Sequence, residues 1–176
     1  MSVRAVLVGM PGVGKSTVGK LLAKDLQLPF ADSDALIVSE TGQSIPEIFQ
    51  TVGEEGFRRL EADVIARTLA NFDGVLSLGG GAILSGATRQ ALRGYPVVLI
   101  EARMDILVRR ITGSRTRRPL LEDNPAARLR ELDRERTPLY RDVASVTVTS
   151  DGGSPHRVVR RIRAALETYG EGAKES

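Results

Sequence analysis

Residues 9–17 read GMPGVGKST, behind the apolar run Ala5-Val6-Leu7-Val8 and ahead of Val18-Gly-Lys-Leu-Leu-Ala. Gly9, Gly14, Lys15 and Ser16 stand at the spacing G-x-x-x-x-G-K-[ST], between a short strand and the start of a helix. Glycines there let backbone N–H groups turn inward around phosphate oxygens, and the helix aims its positive dipole end at them. Lys15 then reaches the outer phosphates, and the Ser16 hydroxyl can ligate Mg²⁺. The segment Pro11, Gly12, Val13, Gly14, Lys15, Ser16 and Thr17 is thus the expected nucleotide cradle.

Working outward, apolar runs alternate with helical patterns. Strands are expected at residues 5–8, 28–31, 75–78, 97–100 and 145–148. Helices are expected at 15–26, 35–40, 45–50, 54–71, 88–92, 104–111, 125–140 and 155–169. Ser44-Ile-Pro-Glu47 and Thr51-Val-Gly-Glu54 both read as capping boxes. Ser154-Pro155 offers an N-cap with proline at the first helical position. Alternating strands and helices argue an α/β chain with a parallel sheet covered on both sides. At 176 residues the length suits one domain, with a polar tail over 170–176. Residues 112–124 are polar and basic, and their composition fits a lid.

Composition excludes several classes. There are no cysteines, which rules out disulfides and thiolate metal sites and suits a reducing, cytoplasmic compartment. No apolar run is long enough to cross a bilayer, so no membrane association is expected. Arginines 109, 110, 115, 117 and 118 crowd the stretch 106–121, which carries no acid. A solvated helix end, nucleic-acid binding and closure over a polyanionic small ligand all suit such a run. Aromatic residues make up only 4% of the chain and do not interleave with the cluster, which speaks against nucleic acid.

A phosphate loop alone does not distinguish a kinase from a GTPase or a motor. No N-K-x-D is present to read guanine, and neither central strand ends in Asp. Asp32-Ser-Asp34 follows the second strand, where a strand end in an open parallel sheet lies beside the phosphate loop. Strand alternation would send Asp32 and Asp34 to one side, while the plain alternative for the pair is an N-cap. In Phe57-Arg-Arg-Leu-Glu61, Arg58 and Glu61 share a helix face. Gly79-Gly80-Gly81 leaves backbone open to close approach.

Taken in order, GMPGVGKST, DSD, FRRLE, LGGGA, RRPL, ERTPLY and the SP before the last helix resemble the shikimate kinase family over essentially the whole chain. The resemblance implies a three-layer P-loop NTPase fold: a five-stranded parallel sheet in order 2-3-1-4-5, helices on both faces and a mobile lid. It implies transfer of the ATP γ-phosphate to the 3-hydroxyl of shikimate, with Mg²⁺ held by Ser16 and, through water, by Asp32. Arg58 and Arg136 would grip the shikimate carboxylate, Glu61 would orient Arg58, and Phe49 and Phe57 would wall the pocket. Asp34 would hold the hydroxyls and accept the attacking proton, and Gly79, Gly80 and Gly81 would pack against the ring. The R-P-L pattern gives the γ-phosphate contact to Arg118, with Arg115 and Arg117 as neighbours. Arg110 and Pro155 would sandwich adenine, although Asp151-Gly-Gly153 lacks a basic residue that some relatives carry. A monomer is expected. The alternatives are a gluconate-type or nucleotide kinase on the same scaffold, or an inactive nucleotide-binding regulator.

Overall fold

The structure, a computed structural model, describes residues 3–113 and 124–174. In chain order it holds β1 (Ala5–Val8), α1 (Lys15–Asp25), β2 (Phe30–Asp32), α2 (Ser33–Thr41), α3 (Ile45–Asn71) and β3 (Val75–Ser77). A 3₁₀ turn (Ala82–Leu84) and α4 (Gly86–Ala91) follow, then β4 (Val97–Ala102), α5 (Met104–Thr112), α6 (Pro125–Val143), β5 (Val146–Ser150) and α7 (Pro155–Lys174). The strands form one parallel sheet in the order β2-β3-β1-β4-β5. That is the order the resemblance implied. β1 is buried along its whole length, so its run AVLV needs no apolar–polar alternation.

Boundaries differ where local chemistry outweighs the apolar pattern. β2 begins two residues later than expected and ends at Asp32, and α2 begins at once with Ser33. Asp34 therefore sits in the first turn of a helix, and strand alternation is not what brings it beside Asp32. Ser44 closes a reciprocal capping box with Glu47, as its spacing predicts. Thr51 does not cap a new helix; its hydroxyl donates back to the Glu47 carbonyl at 2.9 Å, inside the preceding turn. The helix nevertheless breaks near there, because Gly53 adopts φ 72° and ψ 178°, a left-handed φ that side chains resist. α7 runs on to Lys174, so helix occupies residues 170–174, where a polar tail was expected.

Two hydrophobic nuclei result. The main one joins the sheet to α1, the C-terminal half of α3, α5, α6 and α7, with Leu7, Leu22, Ile65, Leu76, Leu99 and Ile162 enclosed. A smaller one, Ile37, Ile48, Phe57 and Val64, belongs to α2 and α3 alone. A cavity opens at the C-terminal ends of β1, β2 and β3, and the polar motifs collect there.

Candidate active site

The loop after β1 leads into α1 through Gly14, whose φ of 94° turns the chain so that the helix begins at Lys15. The Lys15 ammonium folds back over the loop and donates to the carbonyls of Gly9 at 2.7 Å and Met10 at 3.1 Å. Arg110, from α5, donates to the carbonyls of Gly12 and Val13 at 3.0 Å each and to Ser150 Oγ at 3.3 Å. Its guanidinium thus ties the phosphate loop to the end of β5. Pro155 stands at the start of α7, where Ser154 Oγ accepts from the His156 N–H.

Asp32 does two things at once. One carboxylate oxygen caps α2 by accepting from the Ala35 N–H at 3.1 Å, and the other accepts from Ser16 Oγ at 3.4 Å. The N-cap and the functional reading are therefore compatible. Asp34 lines the same cavity, of about 510 Å³, with the phosphate loop and Gly79-Gly80. Burial, and next the neighbouring Asp32 charge, hold the Asp34 carboxyl above its ordinary pKa, against the pull of Lys15 and Arg58. A carboxylate raised in this way takes up a proton more readily than one in water.

Arg58 and Arg136 flank the glycine turn. A Cβ on Gly81 would collide with the Arg58 guanidinium, and one on Gly80 would meet Arg136 Nη1 at 3.3 Å and Pro11 at 3.4 Å. A Cβ on Gly79 would press on Asp34 Oδ1 at 2.8 Å. A side chain at any of the three would push on a charged group of the site. Arg58 pairs with Glu61 at 2.9 Å, and Glu61 is 1% exposed. This is not the solvated surface pair that the sequence alone allows. Phe57 lies under the Arg58 guanidinium at 5.3 Å and stacks on Phe49 at 4.6 Å. Arg136 is 6% exposed, and the Nε of both arginines is buried without a hydrogen-bond partner. Two guanidinium groups held beside the glycine turn, with donors left unmatched, suit a planar carboxylate as acceptor.

The structure therefore brings together Lys15, Ser16, Asp32, Asp34, Arg58, Glu61, Gly79, Gly80, Gly81 and Arg136. Arg118, like Arg115 and Arg117, lies outside the described residues, as does most of the expected lid. Three residues went unassigned in the sequence. Ser33 Oγ accepts from the Gly79 N–H at 2.9 Å, the Tyr140 hydroxyl donates to the Gly80 carbonyl, and Ser77 lines the cavity with a buried, unpartnered hydroxyl. Only Tyr140 carried a signal: it closes the ERTPLY run one helical turn after Arg136.

A phosphate loop sharing one cavity with a carboxylate of raised pKa, beside a glycine turn flanked by two arginines, fits a P-loop kinase acting on a small anionic acceptor. A family model described as shikimate kinase matches residues 11–167. Curated shikimate kinases are 49% identical over 168 residues (Mycobacterium tuberculosis; 95% of each chain) and 46% identical over 167 (Rhodococcus jostii; 94% of this chain, 99% of the relative). The solved shikimate kinase from Acinetobacter baumannii in complex with shikimate superposes with a TM-score of 0.88 at 36% identity, covering 96% of this chain and 94% of that one. The chain belongs to the shikimate kinase family.

Proposed function

We propose that this chain transfers the γ-phosphate of ATP to the 3-hydroxyl of shikimate, giving shikimate 3-phosphate and ADP. The observation that carries the reading is the placement of the Arg58 and Arg136 guanidinium ends and the Asp34 carboxylate against one glycine turn. Shikimate offers one planar carboxylate for the guanidinium groups and hydroxyls for Asp34.

In this mechanism the arginines fix the carboxylate, and the Gly79–Gly81 backbone supports the ring. Asp34 accepts the proton of the 3-hydroxyl as its oxygen attacks the γ-phosphorus. The bond from that phosphorus to the β–γ bridging oxygen breaks, and ADP leaves with the charge. Lys15 and the loop N–H groups meet the phosphate oxygens, since phosphoryl transfer asks the protein mainly for positioning and charge. Arg118 would add positive charge over the γ-phosphate, and Arg110 with Pro155 would border the base.

The donor set suits Mg²⁺. Ser16 offers a hydroxyl and Asp32 a carboxylate oxygen 3.4 Å from it, and no cluster of three or more His, Cys, Asp or Glu competes among the described residues. One or two protein oxygens beside substrate phosphates is the usual way Mg²⁺ is held. Bound there, Mg²⁺ would neutralise charge on the phosphate oxygens. No described helix is long and apolar enough to cross a membrane. The reading carries the expectation of a single-domain, cytoplasmic monomer.

The test is ADP release from Mg-ATP with shikimate, gluconate, CMP or no acceptor. Turnover that requires shikimate is expected. Turnover with gluconate or CMP instead would retire the pocket assignment, and nucleotide binding without turnover would favour the regulator.

Glu61 adds a pH dependence. Burial raises its pKa from 4.5 to about 7, against the opposing pull of Arg58, with Asp34 raising it and Arg136 lowering it. The folded state thus binds this proton more tightly than the unfolded chain. The stability due to Glu61 is complete below its unfolded pKa and is lost as pH rises through about 7. Acceptor binding goes the other way, because the anion is what orients Arg58. The shikimate KM should rise several-fold as pH falls from about 8 to about 6. In Glu61→Gln it should be high and flat across that range, and a wild-type slope in this variant would assign the titration elsewhere.

A further inference from the structure

We propose that Tyr140 and Ser33 are positioning residues for the acceptor, acting by clamping the glycine turn so that the Gly80 N–H keeps one direction. This rests on the proposed function and deepens it. The argument is a hydrogen-bond account of Gly79–Gly81. The Gly79 N–H goes to Ser33 Oγ at 2.9 Å, and the Gly79 carbonyl accepts from the Ala82 N–H at 3.1 Å. The Gly80 carbonyl accepts from Tyr140, and the Gly81 carbonyl accepts from the Leu84 N–H at 3.1 Å. Among the described residues, the N–H groups of Gly80 and Gly81 are the donors of this turn left for a ligand.

Three consecutive glycines have more rotational freedom than any other triplet. Here each peptide from Leu78 to Gly81 is held by at least one bond. The peptides of the described residues are trans, so anchoring the Gly79 carbonyl turns the Gly80 N–H to the opposite side. The peptides before and after that one are held by the two hydroxyls. Ser33 is wholly buried and Tyr140 is 1% exposed, so neither exchanges its bond for water at small cost. Burial raises the Tyr140 pKa to about 12, which keeps its hydroxyl a donor.

The clamps also connect the turn to the groups that meet the acceptor. Ser33 lies between Asp32 and Asp34, and Tyr140 follows Arg136 by one turn of α6. The turn, the proton acceptor and a carboxylate-binding arginine are thereby held in one frame, which lowers the ordering cost of binding.

Tyr140→Phe and Ser33→Ala test this. Each should lower kcat/KM for shikimate about tenfold to a hundredfold, the scale expected of a sub-ångström to ångström misplacement. The Kd for ADP, read by calorimetry, should stay within about twofold of wild type. In the double variant the losses should fall short of additive, since both act on one turn. Unchanged acceptor kinetics in both variants would overturn the proposal, as would equal weakening of ADP and shikimate. If Tyr140→Phe fails to fold, Ser33→Ala decides alone. A wild-type protein that does not phosphorylate shikimate at all would instead sink the proposed function.

Discussion

Asp34→Asn should lower kcat by about 10²- to 10⁴-fold, the range general-base residues contribute, while the Kd for shikimate stays within about threefold of wild type. Asparagine keeps the size and the hydrogen-bonding reach of aspartate, so the hydroxyl still finds a partner. What it loses is the ability to take a proton. Burial and Asp32 raise the basicity of Asp34, whereas Lys15 and Arg58 pull the other way. Single-turnover mixing separates the chemical step from binding. A defect confined to Kd would make Asp34 an orienting group and leave the proton to reach the phosphate or solvent by itself.

Arg136→Met should raise the KM for shikimate by about 10²- to 10³-fold with little change in the KM for ATP, the scale of a truncated, buried charge contact. Methionine fills much of the volume, so the loss is of donors more than of packing. Arg136 is the better probe of the two arginines: removing Arg58 would leave Glu61 buried without its 2.9 Å partner and would injure the fold as well. Arg136→Lys should fall between, because a point charge replaces a planar fork. Equal loss of shikimate and ATP binding in Arg136→Met would mean that the residue supports α6 and does not touch the acceptor.

Much of this site was legible before any coordinates, for a physical reason. The phosphate grip is local: strand, loop and helix lie within some two dozen residues, and each glycine has a backbone task. The break between residues 50 and 54 was expected too, but on the Thr51 box, and the residue that makes it is Gly53. The Thr51 box was misread because spacing alone cannot say which turn a threonine hydroxyl will join. Alternation misjudged Asp34, since the strand stops at Asp32, where the same carboxylate caps the next helix. Tyr140 and Ser33 were hidden for a different reason. Their bonds span 60 and 46 residues of chain, and neither partner is a side chain. Backbone acceptors and donors carry no residue identity, so the ERTPLY run marks Tyr140 without saying what it binds, and nothing marks Ser33.

The division of apolar residues into two nuclei has a thermodynamic consequence. Asp34 and Arg58 stand on α2 and on the part of α3 that builds the smaller nucleus, whereas Lys15, the glycine turn, Arg136 and the C-terminal part of α3 belong with the larger one. Shikimate in the proposed pose would touch both, so its binding free energy would add to the cohesion between them. A small nucleus opens at lower free energy than a large one. The acceptor would then serve as the mortar of its own pocket, and an empty site would be the softest seam in the protein.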